Sequence, residues 1–144
     1  MKHILSKLLL ALAVITASMS CTKDPAPVQY LEVNKTNIEG SWSLVSLNGE
    51  QLNAGTYFHI TLKRNDNTFS ISQNMNAFPE IGSEMTGRYD LSEDMAYGTI
   101  ISGIYDHDAG FWAYDYIITE LTVDSMKWTA KGNPDFVQEY RRLN

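Results

Sequence analysis

From Gly40 onward, apolar and polar residues alternate in short runs broken by turn residues, the pattern of β-strands joined by hairpins. In GSWSLVSLNGEQL, Trp42 and Leu44 take one parity and Ser41 and Ser43 the other. Val45 and Leu47 then switch parity, which predicts a bulge or bend, and Asn48-Gly49 predicts a tight hairpin. TYFHITLKR sets Phe58, Ile60 and Leu62 on one face and His59 on the other. After a turn at Asn65 to Asn67, TFSISQ turns Phe69 and Ile71 inward. A loop containing Pro79 and Gly82 leads to MTGRYDLS, with Met85, Tyr89 and Leu91 on one side and Thr86, Arg88 and Asp90 on the other. Its expected partner is YGTIISGIY. An aromatic strand FWAYDYIITEL follows, then a turn at Val123 to Ser125, the strand MKWTA, the turn KGNPD and the strand FVQEYRRL. Short links between successive hairpins favour an all-β meander closing into an eight-stranded up-and-down antiparallel β-barrel over a Greek key with long crossovers. Closure also removes the exposed edges through which open sheets aggregate.

The first residues obey a different pattern. MKHILSKLLLALAVITASMS carries Lys2 and Lys7 ahead of an apolar run from Leu8 to Ala17 interrupted only by Thr16. A run of this length is short of the ~20 residues a membrane-spanning helix needs, and the arrangement reads as a secretion signal. Cys21 is the single cysteine, so it forms no internal disulfide. It is a small buried hydrophobe, a nucleophile or a site of covalent modification. Ser18 and Ser20 just before it resemble the lipobox of Gram-negative lipoproteins, although Ser18 stands where that family usually has leucine. The resemblance implies that Cys21 becomes the first mature residue and carries the lipid that holds the protein to the outer membrane. Lys23 and Asp24 bear a resemblance to the acidic export signals of surface lipoproteins, so the periplasmic and cell-surface sides both stay open. The expected organisation is a signal peptide over 1–20, a lipidated cysteine with a flexible Pro- and Asn-containing tether over 21–36, and the barrel domain over 37–144.

Charge narrows the function. Cleavage before Cys21 would remove Lys2 and Lys7, leaving nine of the 11 Lys and Arg against 17 Asp and Glu, a net charge of −8. An acidic domain whose basic residues cluster no further than Lys63-Arg64 and Arg141-Arg142 is not built for nucleic acid. Catalytic patterns are scarce. No G-x-S-x-G nucleophile elbow occurs, and beyond the leader the histidines are His59 and His107. DHDAG, from Asp106 to Gly110, sets two carboxylates in a loop but lacks the further oxygens of a calcium loop. No enzyme, metal or cofactor is expected.

The GSW of Gly40 to Trp42 on the first strand, eight short strands and an arginine on the last one resemble the lipocalin-like domains of small bacterial lipoproteins, from about Thr36 to Leu143. The resemblance implies that Trp42 closes one barrel end and that Arg141 or Arg142 packs over its indole. Alternation lets one of the two point there, and a guanidinium over an indole face is a favourable pair. The chain is shorter than the larger lipocalins and lacks their disulfides.

An eight-stranded barrel is just wide enough to be filled by side chains or to hold one small ligand. Trp112, Tyr114 and Tyr116 share a parity and either form a wall on which an apolar or aromatic molecule stacks, with Tyr57 and His59 as rim or polar partners, or simply fill the lumen. Gly87, Gly98 and Gly103 mark bends or space left for a ligand. The first expectation is therefore a membrane-anchored binding module for a small apolar or aromatic molecule. The alternative is a structural or protein-interaction module of the cell envelope, contacting a partner through the loops Asn74 to Glu84 and Tyr105 to Gly110, with Met75 and Phe78 as anchors. A continuous void beside the aromatic row favours the first, and a filled lumen the second.

Overall fold

A computed structural model describes residues 23–78 and 81–144. The expected signal peptide, Cys21 and Pro79 lie outside the described residues. A single turn of helix, α1 (Lys35–Ile38), leads into β1 (Gly40–Leu47), β2 (Glu50–Gln51), β3 (Phe58–Lys63), β4 (Thr68–Gln73), β5 (Glu84–Asp94), β6 (Gly98–Tyr105), β7 (Tyr116–Thr119), β8 (Ser125–Ala130) and β9 (Asn133–Arg142). From β3 to β9 each strand pairs antiparallel with the next, β1 pairs with β3, and β9 returns to β1. The result is a closed eight-stranded antiparallel barrel, up and down in order, with two-residue β2 folded back onto the end of β1. No helix among the described residues is long and apolar enough to cross a membrane.

Alternation places the lumen. Trp42 and Leu44, Phe58, Ile60 and Leu62, Phe69 and Ile71, Met126 and Trp128, and Tyr140 are all buried, with more exposed residues between them. The parity switch in β1 is a real bulge. The β1–β9 register slips between Leu44 and Ser46, leaving Val45 unpaired, so that Ser46 faces Glu139 on the outside and bonds its carboxylate while Leu47 opposes Gln138.

Three boundaries differ from expectation. The aromatic strand starts at Tyr116, because the residues before it leave the β6–β7 ladder; Phe111 keeps one isolated bridge, to Ile104. The turn KGNPD contracts to Lys131 and Gly132, and Pro134 joins β9 where the β8–β9 register is irregular, the setting in which a residue without N–H is tolerated. The expected tether also docks before it ends. Leu31 N–H bonds the Leu121 carbonyl at 2.7 Å, Leu31 and Val33 pack on the core, Asn34 caps α1, and Ile38 is fully buried.

Successive turns fall at opposite ends. One end, the base, holds α1, the turns after β3 and β5, the loop after β7 and the residues after β9. The other, the mouth, holds the segments 48–57, 74–78, 81–83 and 106–115 and the turn at Lys131 and Gly132.

Candidate functional site

The base is sealed by backbone-anchored groups. Trp42 is fully buried, and its indole N–H donates to the Ile38 carbonyl at 2.9 Å. Arg142, its direct cross-strand partner, lays its guanidinium 4.1 Å from the indole centroid. The same guanidinium donates to the carbonyls of Asn37, Glu39 and Val123. Arg142 thus takes the covering position and Arg141 points out to solvent, as alternation requires. Gly40 explains the first letter of the motif: its φ of 126° suits glycine, and a Cβ there would press on the Arg142 guanidinium.

The lumen above is packed with aromatic rings. Trp112 and Tyr116 are buried, 6.2 Å apart by ring centroids, and each lies against Trp128, at 5.7 and 5.5 Å. Tyr114 is half-buried and stacks toward Tyr116 and Phe136. The predicted aromatic row therefore lies at the lumen and its rim. Gly103 and Gly87 leave room for this chain's own rings: a methyl group at Gly103 would overlap the Trp112 indole, and one at Gly87 would strike Phe69 and the Ile104 carbonyl. Gly98 opens β6 directly after the β5–β6 turn, at a φ of 81°.

Tyr57 and His59 do not join the row. His59 faces outward between buried Phe58 and Ile60, and Tyr57 stacks on it with centroids 5.2 Å apart, so the pair lies on the outer wall. Phe78 corrects the alternative expectation. It is 4% exposed, dips from its loop into the mouth and meets Phe58 at 4.9 Å, while Met75 packs half-buried on the core. Gln73 holds that loop, its amide donating to the carbonyls of Ile81 and Gly82 and its oxygen accepting from Met75 N–H. The sequence offered one sign of this plug, a phenylalanine in a loop otherwise rich in polar residues.

What remains empty is small. A cavity of about 30 Å³ is lined by Phe78, Trp112, Tyr116, Trp128, Gln138 and Tyr140 among others, room for water rather than for a ligand, whose sites usually run to several hundred Å³. Two polar groups at this lining satisfy each other: Tyr140 hydroxyl donates to the Gln138 side-chain oxygen at 2.9 Å. Burial pushes the Tyr140 phenol well above its ordinary range. The Trp112 indole N–H and the Tyr89 hydroxyl, both buried, have no hydrogen-bond partner among the described residues. Burial, with the Glu39 and Asp66 carboxylates adding to it, raises the Tyr89 phenol to about 12.

The loop DHDAG is held by its first carboxylate, which accepts from Thr86 hydroxyl at 2.7 Å, while His107 and Asp108 adopt left-handed backbone. No group of three or more His, Cys, Asp or Glu converges among the described residues. Outside the lumen, Phe111 is 77% exposed and lies with Ile104 along a shallow apolar groove flanked by Arg88 and Asp90. No protein-family model matches the chain, and no curated protein matches it significantly.

Proposed function

We propose that this chain is a lipocalin-like lipoprotein of the cell envelope, anchored to the outer membrane by lipid on Cys21, whose filled barrel is a non-enzymatic protein-interaction module. The observation that carries this reading is the lumen: its own aromatic rings occupy it and leave about 30 Å³. A barrel so filled is a rigid support, and recognition then falls to its outer surface. The groove of Ile104 and Phe111 is the contact face, because a large aromatic exposed beside a second apolar residue is the kind of anchor that protein interfaces bury.

A second reading keeps the lumen as a binding site for a small apolar or aromatic molecule. It is favoured by one observation, that Phe78 plugging the mouth and Trp112 with its unspent indole N–H both come from loops rather than strands. Withdrawal of Phe78 would open a pocket walled by Trp112, Tyr116 and Trp128.

Native mass spectrometry separates the two on protein extracted gently from its own membranes, with Phe78→Ala beside it. The interaction reading expects no small-molecule adduct in either form, and a discrete photo-crosslink to a protein from a probe at position 111 that Ile104→Asp abolishes. A stoichiometric small-molecule mass, stronger in Phe78→Ala, would overturn it in favour of the carrier.

A further inference from the structure

Exposed apolar side chains gather at the base. Val28, Tyr30, Val123 and Leu143 are 41 to 64% exposed, and hydrogen bonds tie their segments to one end of the barrel. Leu31 N–H bonds the Leu121 carbonyl, Arg142 Nε bonds the Val123 carbonyl, and Leu143 N–H bonds the Ser41 carbonyl. An aromatic with a polar tip among aliphatic residues is the composition found at membrane–water interfaces.

Charge distinguishes the two ends. At the base, Glu39 is paired with Arg64, Asp90 with Lys35 and Glu120 with Lys127, whereas exposed Lys63 and Arg141 have no ion-pair partner among the described residues. These two cations, with Lys23 and Arg142, stand against Asp24, Glu32, Asp66, Glu93 and Asp124, so the base is close to balanced. The mouth segments carry Glu50, Asp106, Asp108 and Asp115 against Lys131, which is itself 3.6 Å from Asp94. An anionic surface therefore repels the mouth far more than the base.

The reach of the chain points the same way. Docking at Leu31 leaves ten peptide steps back to Cys21, and ten residues extend at most ~35 Å. A chain leaving from the base would spend most of that length climbing the wall before the mouth could meet the bilayer. With the base down, the same length is slack.

We infer that the base of the barrel seats on the surface of an anionic lipid bilayer, with Tyr30, Val28, Val123 and Leu143 entering the headgroup region and Lys63 and Arg141 meeting lipid phosphates. This rests on the lipid anchoring proposed above. It makes the lipid one of two membrane contacts and turns the mouth and its acidic loops away from the membrane.

The test uses the full lipidated protein in vesicles of phosphatidylethanolamine and phosphatidylglycerol, with Val123→Cys or Phe111→Cys carrying an environment-sensitive fluorophore. Intact mass first reports the lipid on Cys21. A lipidated chain should give a blue-shifted emission quenched by brominated lipids at position 123 and neither effect at position 111. Lys63→Glu combined with Arg141→Glu should reduce the shift at position 123. Equal, water-like emission at both positions in a lipidated chain overturns the seated base and leaves the anchor standing. A mass without lipid overturns the anchor and this inference with it.

Discussion

The two ends of this barrel are closed by different means. At the base, the sealing groups belong to strands or to a hydrogen-bonded turn: Trp42 and Arg142 face each other across β1 and β9, and the guanidinium reaches three backbone carbonyls. At the mouth, Phe78 and Trp112 fold in from loops, and of the two only Trp112 is pinned to a neighbouring strand, by its backbone N–H on the Gly103 carbonyl at 2.9 Å. Both ends are plugged by side chains. Only the base uses groups that cannot move without breaking the sheet, which makes the mouth the place where opening costs least.

That difference is sharpest under truncation. Trp42→Ala should cost about 3–5 kcal/mol, since it opens a cavity that the strand ladder cannot collapse and strips Arg142 of its cation–π partner. A urea or thermal melt would read it. A loss below about 1 kcal/mol would mean that the base is not the anchor of the fold.

Phe78→Ala should cost less, about 1–2 kcal/mol, because its loop can settle or water can enter from the mouth. Hydrogen exchange should rise for residues 74–78 and 81–83 and stay unchanged at β1 and β9. Comparable losses for Trp42→Ala and Phe78→Ala would erase the contrast between the ends.

Tyr89→Phe is the smallest test. Its buried hydroxyl has no partner among the described residues, so removing it should change stability by less than about 1 kcal/mol at neutral pH, toward greater stability. The phenol is raised to about 12 in the fold against about 10 in the unfolded chain. Between those values the folded form holds the proton and the unfolded form releases it, so stability falls as pH rises through that window. Melts across the same range should show a shallower fall in Tyr89→Phe, with the Tyr140 phenol, also raised by burial, supplying the remainder.

Much of the wall was legible in the chain. Period-two alternation marked the faces of β1, β3, β4 and β5, Asn48-Gly49 marked the first turn, and the parity switch at Val45 announced the bulge. These signals are local, because a strand face and a tight turn are set within a few residues. The candidate site was less legible. Trp112 and Tyr116 share a parity and both reach the lumen, yet the strand between them was illusory, since Trp112 gets there by way of a loop that leaves the ladder. His59 and Tyr57 lie near the mouth in sequence but on the wrong face of the wall to meet that row. The fate of Phe78 had no periodic sign at all, and neither did the docking of Leu31 and Ile38.

The sequence by itself determined that the domain is a meander of strands, which residues of β1, β3, β4 and β5 face inward, and that no more than one of the neighbouring Arg141 and Arg142 can point at Trp42. Tertiary structure decided how much lumen is left and what fills it. That quantity depends on ring volumes brought together from distant strands and loops, on Gly103 making way for Trp112, and on a loop phenylalanine that no periodicity constrains.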